Sequence, residues 1–150
     1  MYDITPITSE HQTDCGATCL KMLLAYYAVD VPLNQLIEEC HTSLIGCTAR
    51  DVLEAGRLHG QEIHAYKTDL DGVLKVDRPA IVWWKRKHFC ILCGVDDAGN
   101  IVIINPDRGR YRMSKSLFKM WYSGVALFIG EPVDIDGVEP IEVYSNIIAP

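Results

Sequence analysis

The spacing of apolar residues changes near Gly60, and that change limits the folds open to this chain. Before it, Leu20, Leu23, Leu24 and Tyr27 recur at helical spacing, which predicts a helix over 15–28 with Asp14 or Thr13 as its cap. Pro32 opens a second short helix with Leu33, Leu36, Ile37 and Cys40 on one face. Thr48, with Asp51 three residues on, resembles a capping box and starts a third helix that ends at Gly60. After it come strand-like runs at 61–67, 79–84, 88–95, 101–104, 110–113 and 124–129, with Ser114 capping a helix between the last two. Helices first and strands later predict an α+β fold, a helical lobe set against a segregated antiparallel sheet.

At 150 residues and 49% apolar content, the chain is expected to form one globular domain. Its net charge of −6 argues against nucleic acid as a partner. No apolar run reaches the roughly 18 residues a membrane span needs, and Met1-Tyr2-Asp3-Ile4-Thr5-Pro6 lacks the basic start and apolar core of a signal peptide. The six cysteines are therefore expected as reduced thiols in the cytoplasm. From residue 132 to 150 the chain turns acidic and proline-punctuated, and reads as a linker or an arm packed on the surface of the domain formed by 1–131.

Cys15 stands where an irregular segment becomes the first helix, with Gly16 behind it. A helix start carries partial positive charge and free N–H groups, which favour thiolate over thiol and can bind an oxyanion. Downstream, His88 opens one apolar run and Asn105 ends the next. Asp96-Asp97-Ala98-Gly99-Asn100 between them is turn chemistry, so the two runs should form a hairpin with His88 beside Asn105. A cysteine nucleophile needs an imidazole to take its proton, and the imidazole needs an acceptor on its other nitrogen. His11 is a rival base and Asp107 a rival acceptor. His11 falls in a loop, and Pro106 is expected to turn Asp107 away.

Other cysteines and aromatics have plainer readings. Cys19, one helical turn after Cys15, reads as core. Cys90 and Cys93 are three apart on a strand and face opposite sides, so they read as core and not as metal ligands. Cys40, His41 and Cys47 lack a fourth ligand. No metal or cofactor is called for. Trp83, Trp84 and Phe89 bracket His88, where an aromatic could roof a narrow cleft or simply pack the hairpin.

Taken in order, these motifs resemble the C39 peptidases, papain-like domains that cleave double-glycine leader peptides. The matching residues are Asp14-Cys15-Gly16 with Cys19-Leu20, Tyr26-Tyr27, Val31-Pro32-Leu33, Gly46, Leu53, Ala55, Gly60, Pro79-Ala80-Ile81, His88-Phe89, Asn105-Pro106, Gly109-Arg110 and Gly124-Val125-Ala126-Leu127. The resemblance implies a papain-like fold and a cysteine endopeptidase acting after Gly-Gly through a thioester. In it Cys15 is the nucleophile, His88 the base and Asn105 the orienting residue, with Trp84, Phe89 and Gly46 at the substrate. The family usually has aspartate where Asn105 stands. It usually has an oxyanion glutamine where this chain has Ser9, so Gln12 or Ser9 is left to join the Cys15 N–H.

Implied partners are a precursor peptide with a Gly-Gly leader and the membrane and ATPase domains of a peptide-exporting ABC transporter, at the cytosolic face of the membrane. The alternatives are a degenerate domain that holds a leader without cutting it, and an acyltransferase or transpeptidase using the same thioester.

Overall fold

The computed structural model describes residues 1–9, 11–142 and 148–149, with the backbone alone at Gln12, Ile148 and Ala149. The helical half comes first, as the apolar spacing predicts. A 3-10 turn at Gln12–Asp14 runs directly into α1 (Cys15–Tyr26), followed by α2 (Leu33–Glu39), the short β1 (Cys47–Thr48) and α3 (Ala49–Leu58). The Thr48–Asp51 capping box is formed in both directions. The expected cap on α1 is not: Asp14 makes no side-chain cap bond, and its carbonyl accepts the Thr18 hydroxyl at 2.8 Å instead. The preceding 3-10 turn supplies the helical entry that a cap would otherwise provide.

The second half is a seven-stranded antiparallel sheet in the order β6-β5-β4-β3-β7-β2-β8. Its strands are β2 (Ile63–Thr68), β3 (Ala80–Trp84), β4 (His88–Val95), β5 (Ile101–Asn105), β6 (Gly109–Met113), β7 (Tyr122–Ile129) and β8 (Val138–Pro140). Two short helices interrupt them, α4 (Leu70–Lys75) and α5 (Lys115–Trp121), the latter capped by Ser114. β8 lies on the outer edge of β2, and the two-residue β9 (Ile148–Ala149) pairs with β1.

Alternation along the central strands divides the interior in two. Phe89, Ile91 and Cys93 of β4, Val102 and Ile104 of β5, and Val125, Leu127 and Ile129 of β7 face α1 to α3. Cys90, Leu92, Ile101, Ile103, Ala126 and Phe128 face the other way, toward Leu70 and Phe118 of α4 and α5. A sheet covered on both faces explains why these strands read as unbroken apolar runs.

The N-terminal segment is tied across the sheet. Tyr2 N–H donates to the Cys93 carbonyl at 2.7 Å, the Arg110 guanidinium donates to the Ile4 carbonyl, and Ser9 N–H donates to the Pro106 carbonyl at 2.9 Å. These ties bring the 3-10 turn and Cys15 up against β4 and the turn after Asn105.

Candidate active site

Cys15 heads α1 and is fully buried. Its sulfur meets the backbone N–H of Phe89, the residue next to His88 on β4. Across the hairpin, His88 Nε2 lies 2.8 Å from Asn105 Oδ1. A neutral amide oxygen is an acceptor only, so Nε2 carries the proton and Nδ1 is left to act as base. Asn105 is buried, and its Oδ1 also accepts the Asp107 N–H at 2.9 Å. Tyr111 hydrogen-bonds to the same side chain. The orienting group is thus held by its own turn. The structure sets the Cys15 sulfur against the residue next to His88, and His88 against Asn105, from elements far apart in sequence.

Two expectations are corrected here. Asp107 does not turn away: its Oδ2 lies 3.8 Å from the same His88 Nε2. Pro106 opens a tight turn that returns the carboxylate to the imidazole, with Arg108 N–H closing it on the Asn105 carbonyl. The helix start also does not bring the Cys15 thiol below its ordinary value. Burial pushes it up to about 12, opposed first by the Phe89 N–H, with the Cys47 thiol and the Asp107 carboxylate adding to the rise and the Gly16 N–H pulling it down least. Desolvation of the charged form outweighs the helix end. Burial thus favours the neutral form of the Cys15 thiol.

The other residues fall as follows. Phe89 is fully buried between β4 and α1, and it is its backbone N–H that meets the Cys15 sulfur. Trp84 is buried against Phe118 and Trp121 on the opposite face of the sheet, with an edge lining a cavity beside His88. Gly46, at φ +94°, closes the Ser43–Gly46 turn of the helical lobe and is not among the residues around that cavity. His11 is exposed, and His59 pairs with Glu39 at 2.7 Å. The Cys47 thiol hydrogen-bonds with Cys40 and stands behind Gly16. No disulfide joins the six cysteines.

The Gln12 side chain lies outside the described residues, although its backbone is in the 3-10 turn. The Ser9 hydroxyl is buried and has no hydrogen-bond partner among the described residues. A buried hydroxyl left unpaired is costly, and its segment is pinned to the turn that follows Asn105.

The model of the peptidase C39 family matches residues 3–133. The chain belongs to the peptidase C39 family. As a C39 peptidase it has the papain-like α+β fold of the solved peptidase domains. One is a double glycine motif protease from an AMS/PCAT transporter, crystallised with the leader peptide. It superposes with a TM-score of 0.81 at 30% identity, over 85% of this chain and 91% of that one.

Among sequence relatives, the lactococcin-G-processing and transport ATP-binding protein of Lactococcus lactis subsp. lactis is 27% identical over 128 residues. That match takes in 81% of this chain but 18% of the relative. Cysteine protease effector 1 of Escherichia coli is 31% identical over 123 residues, 77% of this chain and 25% of the effector. The chain therefore spans a quarter or less of the length of these curated relatives. No helix among the described residues is long and apolar enough to cross a membrane.

Proposed function

We propose that this C39 domain cleaves a peptide bond after a double glycine. The observation that carries the mechanism is the 2.8 Å bond from His88 Nε2 to Asn105 Oδ1, made beside the buried Cys15 sulfur. In the attack, His88 Nδ1 takes the Cys15 proton as the sulfur bonds to the scissile carbonyl carbon. The proton then passes from the imidazolium to the leaving amine, the C–N bond breaks, and a thioester remains on Cys15. Water, activated by the same imidazole, hydrolyses the thioester and restores the thiol.

Asn105 keeps the ring oriented, and Asp107 supplies the negative charge that a neutral asparagine lacks. The oxyanion is held by the Cys15 N–H and by Ser9 or Gln12. Burial favours the neutral thiol, so the His88 base takes the proton during the attack.

The substrate class rests on the relatives: one solved neighbour is a double glycine motif protease seen with a leader peptide, and one relative processes lactococcin G. We place this domain, residues 1–131, at the cytosolic face of a peptide exporter's membrane and ATPase domains, with 132–150 as an acidic arm packed on it through β8. A second reading is favoured by the 31% identical relative named a cysteine protease effector: the same cysteine protease chemistry used by an effector.

The test is incubation of the purified chain with synthetic leaders ending in Gly-Gly, followed by mass spectrometry. Cutting after the second glycine by wild type, and none by Cys15→Ala, is the expected result. Tight binding without cutting would favour the holding domain, and capture of an added amine over water would favour the transferase.

A further inference from the structure

Beside the imidazole, on the side of Nε2, lies a cavity of about 500 Å³ that includes His88, Asn105 and Asp107 in its lining but not Cys15. Trp84, Trp121 and Tyr111 supply its aromatic walls. Lys85, Lys87 and Arg108 supply cations at its rim. Three positive side chains around one opening reverse the sign of a chain whose net charge is −6. The single carboxylate among them, Asp107, faces His88 Nε2 at 3.8 Å.

The loop that carries two of these cations is strained. Lys85 and Arg86 are the central residues of the turn joining β3 to β4, closed by Lys87 N–H on the Trp84 carbonyl at 3.1 Å. Both have left-handed backbones, with φ of +52° and +57°. Such a turn normally takes asparagine and glycine. Here it is held by Lys85 N–H on the Trp121 carbonyl at 2.8 Å and by Arg86 N–H on Ser123 Oγ at 2.7 Å. Lys85 Nζ in turn sits 3.8 Å over the Trp121 ring. Strain retained for long cationic side chains at the mouth of a cleft points to a use for those side chains.

The chemistry says which part of a substrate reaches this cavity. The acyl half stays on the Cys15 sulfur, while the imidazolium gives its proton to the leaving amine. The leaving amine therefore forms at Nδ1, and the residues that follow it run past the same ring to its Nε2 side, where His88, Asn105 and Asp107 line the cavity. We infer that the cavity is a subsite for the residues that follow the scissile bond, and that it selects acidic side chains there. This inference rests on the double-glycine reading, and it adds a preference on the product side of the bond.

The experiment uses a panel of synthetic leaders ending in Gly-Gly, each continued by Asp-Asp, Ala-Ala or Lys-Lys. Values of kcat/KM are compared for wild type and for the double substitution Lys85→Glu with Lys87→Glu. Exposed ion pairs contribute a factor of about 2 to 5 each, so wild type should prefer Asp-Asp over Lys-Lys by roughly tenfold at low salt. The preference should shrink as salt is raised. The double variant should lose or invert it while cutting Ala-Ala peptides, which also shows that it folds. Equal rates on all three continuations in wild type would overturn the subsite and leave the double-glycine reading standing. Failure to cut any member of the panel would overturn both.

Discussion

His88 and Asn105 are joined by a 2.8 Å contact from Nε2 to Oδ1, and that oxygen also accepts the Asp107 N–H at 2.9 Å. The residue that meets the imidazole is thereby fixed by the turn it begins. One of the two carboxylate oxygens of Asp107 ends 3.8 Å from the same nitrogen. Orientation and charge, which a single aspartate could provide together, are divided between two side chains.

That division gives an ordered set of losses. Asn105→Ala frees the ring and should lower kcat by roughly 10²-fold, the scale of a misplaced catalytic group. Asn105→Asp keeps an acceptor and adds charge, so activity should be retained or raised. Asp107→Asn removes only a partly exposed charge, and the expected loss is about 2- to 5-fold. Steady-state rates on one Gly-Gly peptide check the order. A larger loss from Asp107→Ala than from Asn105→Ala would reassign the orienting role.

How much of this was legible depends on the physics behind each element. The three helices and the β4–β5 hairpin followed from apolar spacing and from the Asp96–Asn100 turn, where Asp96 Oδ1 accepts the Ala98 and Asn100 N–H groups. α4 did not, because it is six residues long, contains Gly72 and is announced only by the Asp69 cap. Gly72 is there for close approach, since a Cβ would strike Thr68 Oγ1 and crowd the Gly137 carbonyl. The site residues could be named from their order, yet two of their properties could not. The return of Asp107 depends on the turn at Pro106, and the raised Cys15 thiol depends on burial that only the packed structure reveals.

The oxyanion donor can be decided by two substitutions. Ser9 has a buried hydroxyl with no partner among the described residues, tethered next to Pro106. If it turns to the oxyanion, Ser9→Ala should lower kcat by about 10²-fold with KM little changed. Gln12→Ala should then be nearly silent. The reverse ranking would give the role to Gln12, and two silent substitutions would leave the hole to backbone N–H groups.

Buried thiols should make the fold sensitive to alkali. Burial pushes Cys15 up to about 12 and Cys93 up to about 11, from 9.0, and raises Cys19 and Cys90 well above it. In the unfolded chain these thiols ionise near their ordinary value, while the folded chain still holds the protons. Stability contributed by the raised values is complete below pH 9 and falls as pH rises toward 11 and 12. The slope is about 1.4 kcal/mol per pH unit for each thiol. Urea unfolding between pH 8 and pH 10 should show the decline, and a flat profile would contradict it. For the same reason, alkylation of Cys15 in the folded enzyme should be slow at mildly acidic pH and climb with alkali.

Gly16 should tolerate no side chain. A Cβ there would lie 2.5 Å from Cys47 Sγ, 3.3 Å from Val52 and 3.4 Å from Phe89. The helix preference of alanine offers at most about 1 kcal/mol, whereas overpacking a filled core costs about 1–3 kcal/mol and displaces neighbours. Overpacking should win, because Phe89 and Val52 belong to the packed interior and Cys47 is held by Cys40. Gly16→Ala should therefore lower both the unfolding midpoint and kcat, since it pushes on the strand whose Phe89 N–H faces the nucleophile. Combining it with Cys47→Ala removes the 2.5 Å clash. The double variant should recover most of the lost stability and rate, a coupling that a thermal melt and a cleavage assay on the four proteins of the cycle would measure. If the double variant is no better than the sum of the singles, the damage comes from the backbone of α1 and not from the sulfur behind it.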